Sequence, residues 1–163
     1  MERINHEIEP VYNQYSKVLI LGTFPSVKSR EGRFFYSHPQ NRFWKVIAAL
    51  TGSNIPETIE EKKKLLLDNY IAVWDVVKSC EIKGSSDSSI KNVVVNDLTR
   101  ILKHAEIRGI FANGAKAYSL YDKYCYEQTG MEAIKLPSTS PANAAFGLDR
   151  HMTEWNQVKK LIN

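Results

Sequence analysis

Cysteine is nearly absent. The 163 residues hold two, Cys80 and Cys125, with no CxxC spacing, and two thiols cannot supply the four ligands of a cysteine-only iron–sulfur cluster. Isolated thiols of this kind are expected to be free and buried in a reducing cytosol. Glycine is also sparse, eight in all. Gly22-Thr23-Phe24-Pro25-Ser26 has neither the spaced glycines of a dinucleotide fingerprint nor the GK[ST] of a phosphate-binding loop. There is no HxxxH, and no HxE with a CxxC, so neither a zinc hydrolase nor a zinc deaminase is supported. Ser26 and Ser140 lack the GxSxG setting of a nucleophile elbow. No metal or organic cofactor is therefore expected. No apolar run approaches the roughly 20 residues needed to cross a bilayer, and residues 1–10 are too charged and polar for a secretory leader. The expectation is a cytoplasmic protein, nucleoid-associated if prokaryotic. No internal repeat and no linker divides the chain, so residues 1–163 are expected to form a single domain.

What is present is ordinary soluble stock: 43% apolar and 25% charged residues. The net charge of +4 is a modest basic bias that favours a polyanionic partner. Short apolar runs at 17–22 (KVLILG), 70–77 (YIAVWDVV), 107–113 and 131–136 read as strands. Helical spacing appears at 41–51, 56–69, 96–104, 115–128 and 152–162, with Thr58 near the start of the second and Asn96 capping the third. The strands lack a polar alternate face, which indicates a parallel sheet covered on both sides. The expected fold is α/β, a three-layer α/β/α sandwich around a four-stranded, mainly parallel sheet. Ligands in such sheets sit beyond the carboxyl ends of the strands. Four polar segments follow those ends: Thr23 to Ser26 with its extension to Asn41, Asp75 and the loop beyond, Asn113-Gly114, and Ser138 to Asn143.

The densest stretch is RFFYSHPQNRFWKVI, residues 33–47. A buried core has little use for His38, Gln40 and Asn41 together, and a solvated loop has little use for so many aromatics. Asn41 reads as a helix N-cap, which leaves Tyr36 and His38 unexplained, or as a working amide. STSPAN, residues 138–143, offers hydroxyls and backbone N–H groups able to clamp a phosphate, or is a plain Ser/Pro connection. Asp75 is either a strand-end cap or a carboxylate at the site, and Asn113 a helix cap or a base reader. Glu60 to Lys64 reads as a solvated helix face. His6, His104 and His151 stand isolated and receive no role.

Taken in order, KVLILGTFPS, YSHPQNRFWKVI, VWDVVKSC with GSSDS, FANGAKA and LPSTSPAN resemble the uracil-DNA glycosylase superfamily over nearly the whole chain. Within it the likeness is strongest to the hypoxanthine (deoxyinosine) DNA glycosylase branch. Uracil-removing relatives carry Asn or Asp in the first motif, where this chain has Thr23 and Phe24, and the main uracil glycosylases have His where the last loop here starts with Ser138. In the hypoxanthine branch the catalytic amide belongs to the HPxNxFW motif, which puts it at Asn41.

The resemblance implies a monomeric, monofunctional enzyme. It would flip a deaminated base out of DNA, hydrolyse the N-glycosidic bond and leave an abasic site. Asn41 would orient the water, and the ring faces of Tyr36 and Phe24 would replace lost base stacking. Gln40 and Asn113 would hold the base edge. Ser26, Lys28, Arg30, Arg42, Lys116, Ser138, Thr139, Ser140 and Asn143 would hold the DNA backbone, and Ala142-Asn143-Ala144 would fill the vacated space. The alternatives are a mismatch-specific uracil/thymine glycosylase of the same fold, and a non-catalytic relative that binds DNA or a nucleotide.

Overall fold

The computed structural model describes residues 2–143 and 147–163. Along the chain run β1 (Arg3–Asn5), β2 (Val18–Gly22), α1 (Val27–Gly32), α2 (Phe43–Thr51), α3 (Ile59–Asp68), β3 (Ile71–Asp75), β4 (Val77–Glu81), β5 (Lys91–Val95), α4 (Thr99–Leu102), β6 (Gly109–Asn113), α5 (Ala115–Tyr124), α6 (Tyr126–Thr129), β7 (Ala133–Leu136) and α7 (Leu148–Ile162). Short 3₁₀ turns occupy Asp87–Ser89 and Pro141–Asn143.

The main sheet has the order β3-β2-β6-β7, with every pair parallel. Every residue of β2, β3 and β6 is buried, as their continuous apolar runs require. The chain leaves β2 toward β3, then returns past β2 to β6 and on to β7. Right-handed crossovers running in opposite directions place their helices on opposite faces. Accordingly α3 packs on β3, α5 on β6 and β7, and α7 on β2 and α2. This is the expected three-layer sandwich, and its change of direction at the β2/β6 seam opens a crevice at the strand ends.

Local signals explain the helices that were legible. Thr58 Oγ1 accepts the Glu61 N–H at 3.1 Å to start α3. Gly52, at φ 66°, ends α2. Cys80 and Cys125 are free and buried. Burial pushes both thiols up, that of Cys125 to about 11, which keeps them from forming reactive thiolates. Among the described residues no helix is long and apolar enough to cross a membrane.

The structure corrects two readings. The run 70–77 is not one strand: β3 stops at Asp75, and after Val76 the chain enters β4. There it pairs antiparallel with β1 and β5 in a second sheet, of order β1-β4-β5. The other correction concerns Asn96, which does not cap a helix. It is buried and donates from Nδ2 to the Asp75 carbonyl at 2.9 Å, while its N–H goes to Val76 O. The Thr99 N–H at the start of α4 is taken by Asp97 Oδ1 at 3.1 Å.

Removing Asn96 strands the buried Asp75 carbonyl. Asn96→Ala should lower unfolding free energy by about 1–3 kcal/mol in urea melts, and by more than Asp97→Ala does. Equal losses would return the capping role to Asn96.

Candidate active site

A cleft of about 360 Å³ opens where the strand ends meet. Gly22 at the end of β2 with Thr23 to Ser26 after it, Asp75 at the end of β3, Asn113 at the end of β6 and Ser138 to Ala142 after β7 all line it, as do Tyr36, His38 and Asn41. The topology thus gathers four segments that the sequence scatters.

At its floor Asp75 meets a residue that sequence reading left without a role. His6 Nε2 lies 2.8 Å from Asp75 Oδ2, with the two side chains 2% and 5% exposed. The Ile8 N–H donates to His6 Nδ1 at 3.3 Å, which leaves the ring proton on Nε2, facing the carboxylate. β1 makes this possible. Its pairing with β4 sets Asn5 opposite Ser79, and His6 N donates to Lys78 O at 2.7 Å. Phe24, an expected wall of the pocket, packs against the His6 ring edge-on at 6.1 Å.

Tyr36 stands at φ 53°, in the left-handed region that bulky residues avoid. Its ring stacks on Phe43 at 4.0 Å and 20°, and Phe43 in turn meets Trp155 of α7 edge-on at 5.9 Å. One ring face is thus covered by Phe43. The hydroxyl is buried and, among the described residues, meets no hydrogen-bond partner. Burial first, and the charge of Asp75 second, raise this phenol well above the ordinary tyrosine range; the Asn113 amide, close but outside hydrogen-bond geometry, pulls the other way. Gly22 makes room for the arrangement. A Cβ there would fall 2.4 Å from Asp75 Oδ1 and 2.9 Å from Tyr36 Oη.

Asn113 does not cap α5, whose N-cap is Gly114. Its amide clasps Thr139 instead: Nδ2 donates to Thr139 Oγ1 at 3.0 Å, and Oδ1 accepts the Thr139 N–H at 3.1 Å. The Thr139 carbonyl takes the Arg42 N–H at 3.0 Å. Thr139 is therefore fully buried. It was expected to touch DNA; here its polar groups tie the last loop to β6 and to the start of α2. Ser138 Oγ and Ser140 Oγ accept the N–H groups of Ser140 and Ala142, and Asn143 Nδ2 donates to Ser138 O. His151, also left without a role by the sequence, is buried on α7 with Nε2 2.8 Å from that same carbonyl.

Asn41 does contribute to the start of α2, since its Oδ1 accepts the Phe43 N–H at 2.9 Å, and it also lines the cleft. The N-cap position itself is Arg42, so Asn41 supports the helix start from one residue earlier, with its side chain at the cleft. Gln40 is exposed and outside the cleft wall. Ser26 caps α1 through the Ser29 N–H. Arg30 and Arg42 bond loop carbonyls, Gly84 O and Asn143 O respectively. Lys28 pairs loosely with Glu31 at 3.8 Å. Asp87, an exposed residue of the 3₁₀ turn that also lines the cleft, has its carboxyl raised by partial burial first and by Asp75 second, with Lys116 opposing. Ala144, expected to help fill the vacated space, lies outside the described residues. Among the described residues no three His, Cys, Asp or Glu side chains gather as a metal site needs.

A crevice at the carboxyl ends of a parallel sheet, lined by polar groups and bordered by a Ser/Pro loop, is where such a fold receives its ligand. Residues 9–160 match the Uracil DNA glycosylase superfamily, and the chain belongs to it. A Methanosarcina acetivorans protein named hypoxanthine DNA glycosylase is 35% identical over 150 residues, covering 91% of this chain and 93% of that protein. A Methanosarcina barkeri protein of the same name is 28% identical over 110 residues, covering 66% and 70%. A solution NMR structure from Methanosarcina acetivorans, described as a candidate uracil DNA glycosylase, superposes with a TM-score of 0.82 at 33% identity, covering 95% and 96% of the two chains.

The Asn113–Thr139 clasp is open to direct test. Asn113→Ala leaves the buried Thr139 N–H without its acceptor, at a cost of about 1–3 kcal/mol. Amide exchange at Thr139 should quicken accordingly, and an unchanged exchange rate would show that the clasp does not hold the loop.

Proposed function

We propose that this chain is a monomeric DNA glycosylase of base-excision repair that removes deaminated bases, chiefly hypoxanthine from deoxyinosine, and leaves an abasic site. The observation that carries the reading is Asn41. It is the amide of the HPQN segment, it lines the strand-end cleft, and its side chain is held by the Phe43 N–H. The names of the two Methanosarcina relatives agree with this choice of base.

Cleavage of an N-glycosidic bond passes through a sugar cation and a departing anionic base. Water attacking such a cation needs placement more than deprotonation. An amide oxygen has two acceptor sites. In Asn41 the Phe43 N–H uses one and limits rotation of the side chain, which leaves the other to receive a hydrogen bond from the water. Asn41 is a very poor base, so its contribution is orientation. Phe24 forms a cleft wall against which a flipped base sits, with Tyr36 lining the cleft beside it. Ser26, Ser138 and Ser140 line the cleft, and with the basic Lys28, Arg30 and Lys116 they are the groups suited to hold the flanking phosphates.

A second reading, a uracil or mismatch thymine glycosylase, has one observation in its favour: the description of the NMR structure. Thr23 and Phe24 weigh against it, because they offer neither the amide nor the carboxylate that the uracil-removing relatives use in the first motif. Duplexes differing only in one base decide between the readings. Inosine should be cleaved faster than uracil paired with adenine, with adenine and guanine left intact. Efficient uracil removal without inosine cleavage would transfer the assignment to the second reading. Binding without cleavage of any of them would leave a non-catalytic relative.

A further inference from the structure

The mechanism above leaves the Tyr36 hydroxyl idle, yet the structure goes to some length to place that group. The backbone at Tyr36 is held at φ 53°, a conformation that bulky residues rarely adopt. The ring is clamped on Phe43. Gly22 gives up any side chain, and so lets Tyr36 Oη and Asp75 Oδ1 approach the same point above its Cα. After all this the hydroxyl is buried in the cleft wall with no hydrogen-bond partner among the described residues. Leaving a buried hydroxyl unpaired is unfavourable, and a phenylalanine at this position would avoid it. An unpaired group on a residue that lines a binding cleft marks a contact left for the ligand to complete.

The geometry points to Tyr36 as a specificity residue whose O–H donates to the carbonyl that deamination creates on the base. This rests on the glycosylase reading and extends it from the sugar bond to the choice of base. Deamination replaces an exocyclic amine beside a bare ring nitrogen with a carbonyl beside a ring N–H. The carbonyl gives the Tyr36 proton an acceptor. An amine does the reverse: if the hydroxyl accepted from it, the hydroxyl's own proton would stay buried without an acceptor. Asp75 sharpens the choice, since its carboxylate repels a ring-nitrogen lone pair and attracts a ring N–H. His6 holds that carboxylate in place through Oδ2. Burial and the Asp75 charge keep the phenol protonated, so the donor is present across the working pH range. As the glycosidic bond breaks, negative charge moves onto the base, and the same donor strengthens as it does so.

The test is Tyr36→Phe, which keeps the ring on Phe43 and deletes only the hydroxyl. Single-turnover cleavage is measured for wild type and variant on two duplexes, one with inosine and one with 2′-deoxynebularine, a purine lacking the carbonyl. The wild type should prefer inosine, and the variant should lose roughly 10–100-fold on inosine while changing little on nebularine, so that the preference collapses. Thermal unfolding of the variant should be unchanged or shifted upward, because an unpaired buried hydroxyl has been removed. Full inosine activity in the variant, equal losses on both duplexes, or a marked fall in melting temperature each overturns the inference. Wild-type protein that cleaves no inosine at all overturns the glycosylase reading beneath it, an outcome visible before the variant is made.

Discussion

Gly22 is the point on which the site depends. It ends the central strand β2, between β3 and β6, in a sheet buried on both faces. Any side chain there would strike Asp75 and Tyr36 at once. Because the position is bare, a carboxylate from the neighbouring strand and a phenol from the loop before α2 converge over it. Each then needs support from elsewhere. Asp75 receives His6, delivered by pairing of β1 with β4. Tyr36 receives the Phe43 ring, itself set against Trp155. The small second sheet and the closing helix, distant in sequence, thus serve one square of the cleft floor.

The cleft lid follows the same logic. Thr139 binds Asn113 through its side chain and N–H, and the Arg42 N–H through its carbonyl. The last loop is therefore tied to β6 and to the start of α2 at a single residue. The Arg42 tie adjoins Asn41, so the loop and the proposed water-placing amide are positioned together. Most polar groups that sequence reading directed toward DNA are partly used within the protein: Ser26 on α1, Arg30 and Arg42 on loop carbonyls, Asn143 on Ser138. They shape the rim as well as charge it.

The main sheet was legible in the sequence because its strands are continuous apolar runs and each ends in a polar segment; burial on both faces produces that pattern. The gathering of Thr23 to Ser26, Asp75, Asn113 and Ser138 to Asn143 on one rim followed from strand direction alone. What stayed hidden depends on long-range pairing. β1 is three residues with mixed exposure, and β5 is five with none of them buried; neither carries a period long enough to register. With β1 unseen, His6 looked isolated; His151 did so because nothing in the helical pattern of α7 marks which of its residues turns back to the Ser138 carbonyl. Asn96 and Asn113 looked like helix caps because asparagine before a helical run usually is one. In the structure tertiary partners, the Asp75 carbonyl and Thr139, claim both side chains.

The central claim is that a neutral amide placing water, within this cleft, breaks the glycosidic bond. Single-turnover cleavage of an inosine duplex by Asn41→Ala, measured beside equilibrium binding and thermal unfolding, addresses it most directly. The account predicts a fall in the cleavage rate of on the order of two to four decades, with binding and melting temperature close to those of the unchanged protein. Cleavage near the original rate would contradict it. So would loss of the fold, since that would leave Asn41 as no more than the residue that starts α2.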